Sequence, residues 1–358
     1  MSYFVTAILK RISTILFCLI FIQTAHAQLG GKNIYDFLQF PTSSRAEALG
    51  GGLQSIKYKA DPDLSLAVSN PMLLDSSFHK QLSITNSFYI DKTNIGNLSF
   101  AYYHPKLKST LAYTMQYASY GKFDGRDASG NPTGTFRAAD FNFQVGVGRN
   151  WNRFYYGVNV KFIVSHLASY TSLGLAADVA LGYYNPKTNW TATVIIRNAG
   201  AELKPYIKGD SRQKIPLQLD LSFSKRFKKL PLTISVTAHD LQVWNLKFPE
   251  EDQQTTILGT TQKTSKGKEV IDNIFRHFAF GAEVQAGKPV RLRFGYNHMR
   301  RQELGVGKKK GFAGISAGFG INIKQFAFDY AYAQYHRSGS DHQLTLRIKI
   351  DEFGKKAK

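Results

Sequence analysis

From Leu82 onward, apolar and polar residues alternate with a period of two along the chain. The segment 290–297 reads VRLRFGYN, and the same alternation occurs at 217–223 (LQLDLSF), 326–332 (FAFDYAY) and 344–350 (LTLRIKI). Successive side chains of a β-strand point to opposite faces, so each run predicts a strand with one apolar face. The pattern therefore predicts an all-β fold.

The alternating segments number fourteen. We predict strands at about 82–91, 97–104, 109–120, 140–150, 153–166, 172–184, 189–199, 216–227, 231–242, 276–286, 289–299, 312–323, 326–336 and 341–350. Most are much longer than the strands of globular proteins, which typically have about 5–6 residues. A tilted strand needs roughly 9–11 residues to cross the hydrocarbon core of a membrane. These lengths favour a transmembrane barrel.

Aromatic residues cluster near the ends of these strands. They are Tyr102, Tyr103, Tyr117, Tyr120, Trp151, Tyr155, Tyr156, Tyr183, Tyr184 and Trp190. Such clusters are typical of the girdles with which a barrel meets the two membrane surfaces. A soluble β-sandwich is the alternative, because its strands also alternate. A sandwich rarely has so many long strands, so we predict a 14-stranded antiparallel transmembrane β-barrel over 81–350, followed by a C-terminal tail over 351–358.

The connections between strands differ in length with the parity of the preceding strand. Gaps after even-numbered strands are short, such as 151–152 and 324–325, whereas gaps after odd-numbered strands are mostly longer, such as 121–139, 243–275 and 300–311. Outer-membrane barrels have short periplasmic turns and longer external loops. The parity therefore predicts that the long connections lie on the outer side of an outer membrane.

The first 27 residues have the layout of a signal peptide. Lys10 and Arg11 precede an apolar run over 12–22, and Ala25-His26-Ala27 supplies small residues for cleavage. The alternative is an N-terminal membrane anchor, but the apolar run is too short to span a bilayer as a helix. We predict an exported protein that begins at residue 28.

Residues 28–80 lack the alternation and contain several Gly and Pro residues. Asp61-Pro62-Asp63 has the chemistry of a helix start, and Asn70-Pro71 ends that helix because proline disfavours a helical conformation of the preceding residue. A fourteen-stranded barrel is wider than the roughly eight strands whose side chains can fill the lumen. We therefore predict that 28–80 form a plug or hatch inside the barrel.

Two stretches of this segment resemble a known family. Residues 33–51 (NIYDFLQFPTSSRAEALGG) and 61–74 (DPDLSLAVSNPMLL) resemble the plug region of FadL-like outer-membrane barrels, and in particular the PorV-related barrels of the type IX secretion system of Bacteroidota. The plug motif falls on Asp61, Asp63, Asn70, Pro71 and Leu74. The family usually has Ala after the Pro, where this chain has Met72.

The resemblance implies a place in a cell-surface attachment complex. Its members are PorU, PorV and PorZ, and the implied role of this barrel is to hold the peripheral PorZ at the surface. The complex handles cargo proteins and attaches many of them to anionic lipopolysaccharide. The implied partners are therefore outer-membrane lipid and lipopolysaccharide, and a PorZ-like peripheral protein with PorU and PorV.

The composition is strongly basic. The 358 residues include 46 Lys and Arg against 25 Asp and Glu, which gives a net charge of +21. A basic protein can bind nucleic acid, but these charges are spread along the chain without a basic helix or an aromatic-basic platform. The single cysteine, Cys18, excludes a disulfide framework and a cysteine-based zinc site.

Catalytic motifs are not found in this sequence. The nine histidines show neither His-x-x-x-His nor His-Glu-x-x-His spacing. His239-Asp240 could orient a nucleophile, but no Gly-x-Ser-x-Gly accompanies it. Because some barrel enzymes use Ser and His on their outer face, an enzyme stays a weak alternative. We predict no enzymatic activity, no cofactor and no metal.

Charged residues on the polar phase of the strands predict ion pairs in the lumen. The basic ones are Lys161, Arg291, Arg293, Arg347 and Lys349, and the acidic ones are Asp178, Asp220 and Asp329. The carboxylates of Asp61 and Asp63 in the plug are further candidates for pairing. The alternative is a polar lumen without specific function.

Two long connections are candidates for docking a partner on the outer side. Aromatic anchors with a charged rim suit a protein interface. The candidate residues are Trp244, Phe248, Glu250, Glu251, Arg300, Arg301, Lys308, Lys309 and Lys310. The alternative is that these loops are solvated and mobile.

Two functions from different classes fit the sequence. The first is a scaffold that anchors a peripheral surface protein of a secretion system. The second is a transport channel for hydrophobic small molecules, for which we expect an apolar pocket and a gap in the wall beside a kinked strand.

Overall fold

The computed structural model describes residues 33–52, 54–58, 61–90, 93–247, 266–303, 312–336 and 339–352. The predicted signal peptide over 1–27 lies outside the described residues, as does most of the predicted C-terminal tail. Within the described ranges, no helix is both long enough and apolar enough to cross a membrane.

Fourteen antiparallel strands form one closed barrel, in which each strand pairs with its neighbours in sequence. They are β1 (Gln81–Phe88), β2 (Asn94–His104), β3 (Ser109–Arg126), β4 (Pro132–Trp151), β5 (Phe154–Leu167), β6 (Tyr170–Asn185), β7 (Trp190–Lys204), β8 (Gln218–Arg226), β9 (Leu232–Ala238), β10 (Phe278–Ala286), β11 (Val290–Asn297), β12 (Ile315–Ile323), β13 (Phe326–His336) and β14 (Gly339–Lys349). The barrel closes where β1 pairs with β14, with Gln81 opposite Lys349. The predicted fold class and the predicted number of strands are confirmed.

The two faces of the wall have opposite chemistry. On the outward face, apolar side chains are exposed, including Val160 at 51%, Leu181 at 55% and Phe294 at 56%. On the inward face, polar side chains such as Asn159 and Asp220 are completely buried. A protein surrounded by water has the reverse arrangement. Exposed apolar side chains around a polar interior are expected where the wall contacts hydrocarbon.

The strands are longer on one side of the barrel than on the other, so the wall is higher there. We call the end with the connections after odd-numbered strands the loop end, and the opposite end the turn end. Strands β3 to β7 have 14 to 20 residues, whereas β8 to β12 have 7 to 9. The predicted loop over 121–139 is wrong, because β3 and β4 continue as a hairpin to a turn at 127–131. The rings of Phe123 and Phe136 stack at 5.3 Å across this hairpin.

Two helices lie within segments that the sequence predicts as connections. Helix α3 (Lys266–Arg276) occupies the end of the predicted connection over 243–275, and helix α4 (His298–Glu303) begins the one over 300–311. The sequence predicts only that these residues connect strands, and the structure shows that they are helical. Both helices lie next to the shorter strands of the wall. Helix α3 precedes β10, and helix α4 follows β11.

The predicted aromatic girdle is correct in part. Trp151 is 72% exposed and Phe154 57% exposed at the turn end, as expected for side chains at a membrane surface. Tyr155 and Tyr184, however, are buried inside the barrel. Because side chains alternate, one tyrosine of each Tyr-Tyr pair must point inward.

The described residues between 33 and 80, which we call the inner segment, lie inside the barrel. They form a 3₁₀ turn (Asp36–Gln39), α1 (Ser44–Ala48), α2 (Leu64–Ser69) and two further 3₁₀ turns (Pro71–Leu73 and Ser76–Phe78). At the loop end, Asn33 forms a β-bridge with Lys214. From there the segment descends to the turn end and continues into β1.

Local sequence explains the short helices of the inner segment. The side chains of Ser43 and Asp63 cap α1 and α2 by accepting hydrogen bonds from the backbone N–H groups of Arg45 and Ser65, at 3.2 and 3.1 Å. Pro71 begins the turn that follows α2. The chemistry of a helix start at Asp61-Pro62-Asp63 is thus found in the structure, with Asp63 as the cap.

Glycines allow α1 to approach the wall closely. Gly50, two residues after this helix, has a φ of 98°, a conformation that other residues rarely adopt. A Cβ atom on Gly295 of β11 would overlap the backbone nitrogen of Gly50. Side chains at these two positions would push the inner segment away from β11.

Candidate functional site

Arg45 of α1 forms the centre of a buried set of charges between the inner segment and the wall. Its Nε and Nη2 atoms donate to the two carboxylate oxygens of Glu283 on β10, at 2.8 and 2.7 Å. Its Nη1 atom lies 3.3 Å from Asp63 Oδ2 and 3.5 Å from Asp61 Oδ2. One inner-segment arginine therefore contacts carboxylates from both sides of the interface.

Arginines of the wall complete the set. Arg293 Nε lies 2.7 Å from Glu283 Oε2, and its Nη1 lies 2.6 Å from Asp329 Oδ1. Arg347 Nη2 lies 3.0 Å from Asp329 Oδ2 and also reaches the inner segment, with Asp61 Oδ1 at 3.4 Å from Nη1. We call Arg45, Asp61, Asp63, Glu283, Arg291, Arg293, Asp329 and Arg347 the ion cluster.

Asp61 is held ionised by this environment. Burial alone would raise the pKa of its carboxyl group, but Arg347, Arg45 and Arg291 outweigh that effect and lower the pKa well below its usual range. Arg291 Nη1 lies 3.1 Å from Asp61 Oδ2, and Asn322 donates to Asp61 Oδ1 at 2.9 Å. Asp61 therefore carries its negative charge at neutral pH.

The ion cluster is balanced and inaccessible. Its four arginines face four carboxylates, and their side chains are at most 7% exposed. Buried charges are tolerated when they are paired in this way, whereas removal of one partner is strongly destabilising. No group of acidic, His or Cys side chains suited to a metal ion occurs among the described residues. These ion pairs hold the inner segment against the wall.

The rest of the predicted plug motif lies against β4 and β5. The carbonyl oxygen of Val68, near the end of α2, accepts hydrogen bonds from Gln144 Nε2 at 2.9 Å and Asn159 Nδ2 at 3.1 Å. Asn70 Nδ2 donates to the carbonyl oxygen of Gln54 at 3.0 Å. Pro71 and Leu74 lie against Gly148 and Gly157 of the wall. These contacts position the inner segment on the wall opposite the ion cluster.

Little space is left within the inner segment at the turn end. The void between Ile56, Asp61, Leu73 and Phe78 has a volume of about 10 Å³. A cavity of this size holds at most one water molecule. Lys57 closes the region, since its Nζ lies 2.7 Å from Asp75 Oδ2 and 4.4 Å from the centre of the Tyr155 ring.

Two of the predicted lumen residues, Lys161 and Asp178, form an ion pair at 2.7 Å. Asn198 donates from its backbone N–H to Asp178 at 2.9 Å and accepts from Lys161 at 2.7 Å. Asp220 pairs with Arg197. Arg197 lies on the same inward phase of β7 as Thr191 and Thr193 but is not among the predicted lumen residues, and the bulge beside Asp178 shifts the alternation only from Asn198 onward.

The structure places the predicted docking residues in different environments. Trp244 is 68% exposed at the loop end. Arg300 is not part of an outer surface, because α4 turns it inward, where its Nη1 lies 2.8 Å from Glu47 Oε1 and its guanidinium lies over the Tyr335 ring. Arg301 is half-buried, and its Nη1 donates to the Ala313 carbonyl oxygen at 3.4 Å. Phe248, Glu250, Glu251, Lys308, Lys309 and Lys310 lie outside the described residues.

An apolar hollow is present on the outward face of β5 to β10. It has a volume of about 710 Å³, and its lining includes Phe154, Leu181, Val194, Phe223, Val236 and Phe278. Gly182 forms part of its floor, and a Cβ atom there would overlap the methyl group of Met72 in the inner segment. The hollow is therefore backed by the apolar cluster that Met72 forms with Leu73, Ala180 and Ile195.

A closed antiparallel barrel with an apolar outer surface and a polar, occupied interior defines a transmembrane β-barrel. No family model matches the sequence, and no curated protein matches it. Among solved structures, the toluene transporter TbuX of Ralstonia pickettii is 14% identical, with 87% of this chain and 98% of that chain covered at a TM-score of 0.49. A mutant of the monoaromatic hydrocarbon channel TodX is 12% identical, with the same coverage and TM-score. Omp33 of Acinetobacter baumannii is 8% identical, with 76% and 98% covered at a TM-score of 0.38. The class rests on the strand pairing and the surface chemistry of the chain itself.

Proposed function

We propose that the chain is an outer-membrane β-barrel that takes up hydrophobic small molecules through its wall, as a FadL-like channel would. The observation that carries this proposal is the apolar hollow of about 710 Å³ on β5 to β10. Pockets for small molecules typically have volumes of about 300–1,000 Å³ and mostly apolar linings. The hollow opens toward lipid, and on the lumen side of its floor Met72 and its apolar neighbours would receive a hydrophobic molecule once the pairing of β6 with β7 opened.

The wall beside the hollow has features that suit a lateral passage. The bulge in β7 lies next to Arg197, and the pairing of β7 with β8 ends at Arg197 and Gln218. β9 has seven residues and pairs with β8 over six positions. The wall therefore has fewer backbone hydrogen bonds here than between β3 and β6.

Uptake of radiolabelled toluene by cells that express the chain tests this function. Toluene is a suitable probe because it is small and apolar. Ala192 lines the hollow, so Ala192→Trp should fill it and lower uptake to the level of cells without the protein. Val147→Trp is the matched control, because Val147 is also an outward residue of the wall but does not line the hollow. Equal uptake by the two variants, or no uptake above background by the wild type, would exclude transport through this hollow.

A second function is favoured by the occupied lumen. We infer that a barrel whose inner segment is held by the ion cluster could act as an anchor, in a PorQ-like role, for a PorZ-like peripheral protein of a secretion system. The exposed Trp244, which lies in the connection from β9 to α3, offers a contact surface at the loop end. A scaffold needs a rigid, closed barrel, whereas a channel needs a path that opens.

Affinity purification from native outer membranes separates the two functions. A scaffold should co-purify with a surface protein, and replacement of residues 250–264 by a short Gly/Ser linker, which spares α3, should remove that protein. Replacement of the hairpin turn at 127–131 by a linker of equal length is the matched control. If the surface protein stays at wild-type levels in the first variant, the docking site lies elsewhere; if no surface protein co-purifies with the wild type, the scaffold function is excluded.

A further inference from the structure

Helix α3 leaves its apolar side uncovered at the loop end. Val270, Ile271, Ile274 and Phe275 are 40–58% exposed. Asn273 and Arg276, on the other side of the helix, are buried. A surface helix of a protein in water normally buries its apolar side and exposes its polar side. The orientation of α3 is the reverse.

Polar contacts fix this orientation. Asn273 Nδ2 donates to the carbonyl oxygen of Trp244 at 2.5 Å. Arg276 Nε donates to Asp272 Oδ2 at 2.8 Å, and Arg276 also pairs with Glu303 of α4. His298 Nε2 lies 2.9 Å from Asp272 Oδ1. Rotation of α3 to bury its apolar side would break these contacts.

The apolar side of α3 is continuous with the lipid-facing surface of the wall. Ile271, Ile274 and Phe275 have the spacing of one helix face, and Phe278, two residues after the end of α3, is the first residue of β10. Phe278 lines the outer hollow, and its ring stacks on Phe280 at 6.2 Å. Trp244 lies beside the helix, with its ring 6.4 Å from that of His277. One apolar surface thus extends from the wall onto the helix.

We propose that α3 lies in the outer leaflet of the membrane, and that acyl chains of the lipids cover its apolar side. A helix with well-separated apolar and polar sides binds the membrane surface by burying the apolar side at the boundary of headgroups and acyl chains. An exposed tryptophan beside it is typical of that depth. The proposal rests on the membrane-spanning class of the barrel, but on neither of the two candidate functions.

Fluorescence quenching by lipids tests the position of the helix. In a Cys18→Ser background, single cysteines at Ile271→Cys, Phe294→Cys and Ser129→Cys carry an environment-sensitive fluorophore. The labelled barrels are reconstituted into phosphatidylcholine vesicles that contain, in separate samples, a lipid with a shallow or a deep nitroxide quencher. Phe294 on the wall reports contact with lipid, and Ser129 at the hairpin turn reports water. Quenching at position 271 should be at least two-fold stronger than at position 129.

Each result has a definite meaning. If position 271 is quenched as weakly as 129 while 294 is quenched strongly, α3 lies in water and the proposal is overturned. If position 294 is not quenched either, the membrane-spanning class itself is wrong, and the proposal is overturned with it. Shielding of position 271 in native membranes but not in vesicles would assign the apolar side to a partner protein instead. Heat-modifiable gel mobility shows that each labelled barrel is folded.

Discussion

Arg45 and Glu283 are separated by 238 residues in sequence and joined by two parallel hydrogen bonds of 2.8 and 2.7 Å. Arginine and carboxylate groups in this paired geometry form one of the stronger interactions between side chains. Arg45 lies in the inner segment and Glu283 in β10. The pair therefore holds together two parts of the chain that are far apart in sequence.

The substitution Arg45→Ala should destabilise the folded barrel strongly. It leaves Glu283, Asp61 and Asp63 with less compensation in a buried site, and loss of one partner from a buried ion pair costs about 3–5 kcal/mol. The measurement is the free energy of unfolding in urea with detergent or lipid present. Arg149→Ala on the exposed end of β4 is the control and should change it by less than about 0.5 kcal/mol. Similar effects of the two substitutions would show that the ion cluster does not hold the inner segment.

The stability of the barrel should depend on pH through Asp61. Its pKa in the folded state is lowered, so it stabilises the barrel fully above the ordinary aspartate pKa of about 3.9. This contribution is lost as the pH falls through the lower pKa of the folded state, because the unfolded chain binds the proton first. We expect no loss from this residue between pH 7 and about pH 5, and a decline in strongly acidic solution.

The variant Asp61→Asn checks this assignment. It removes the charge but keeps the shape, so it should be less stable than the wild type at pH 7 and should lose less stability on acidification. Unfolding curves at several pH values provide the comparison. An unchanged pH dependence in the variant would assign the acid sensitivity to other carboxylates.

A positive charge on the outward face should impair the barrel. Phe294 is 56% exposed on β11, and arginine near the middle of a membrane costs about 2–4 kcal/mol on a barrel surface. Phe294→Arg should therefore reduce the yield of folded barrel in lipid vesicles. Ser129→Arg at the hairpin turn should have little effect, since this residue is exposed outside the barrel wall. Equal yields would mean that β11 does not face lipid at this position.

The outer part of the β3–β4 hairpin should be dispensable for folding. The pairing of the two strands is irregular between Ser119 and Lys122, and most residues beyond that point are exposed. Replacement of residues 122–137 by Asn-Gly should change the free energy of unfolding by less than about 1 kcal/mol, because the packed contact between Tyr120 and Asp140 remains. A large loss of stability would show that the hairpin contributes to the barrel itself.

The sequence predicts the strands of the barrel wall better than it predicts the contacts between the wall and the inner segment. A period of two is sufficient to place Phe294 outside and Arg293 inside, because a strand has only two faces. It does not reveal the partner of Arg293, because contacts across a lumen depend on strand tilt and on the inner segment. Glu283 and Arg45 were not singled out for this reason. The β3–β4 hairpin was missed because its residues are exposed on both faces, so they have no apolar alternation.

The ion cluster also makes the position of the inner segment depend on the C-terminal strands of the barrel. The inner segment contributes one arginine and two aspartates, whereas β10, β11, β13 and β14 contribute three arginines and two carboxylates. The charges from the inner segment do not balance by themselves, and neither do those from the wall. Burial of either set is therefore unfavourable until the other set is in place. A chain that ends before β14 lacks both the last strand of the barrel and Arg347, one of the charges that neutralise Asp61. We therefore expect the inner segment to be held in place only after the C-terminal strands have joined the barrel.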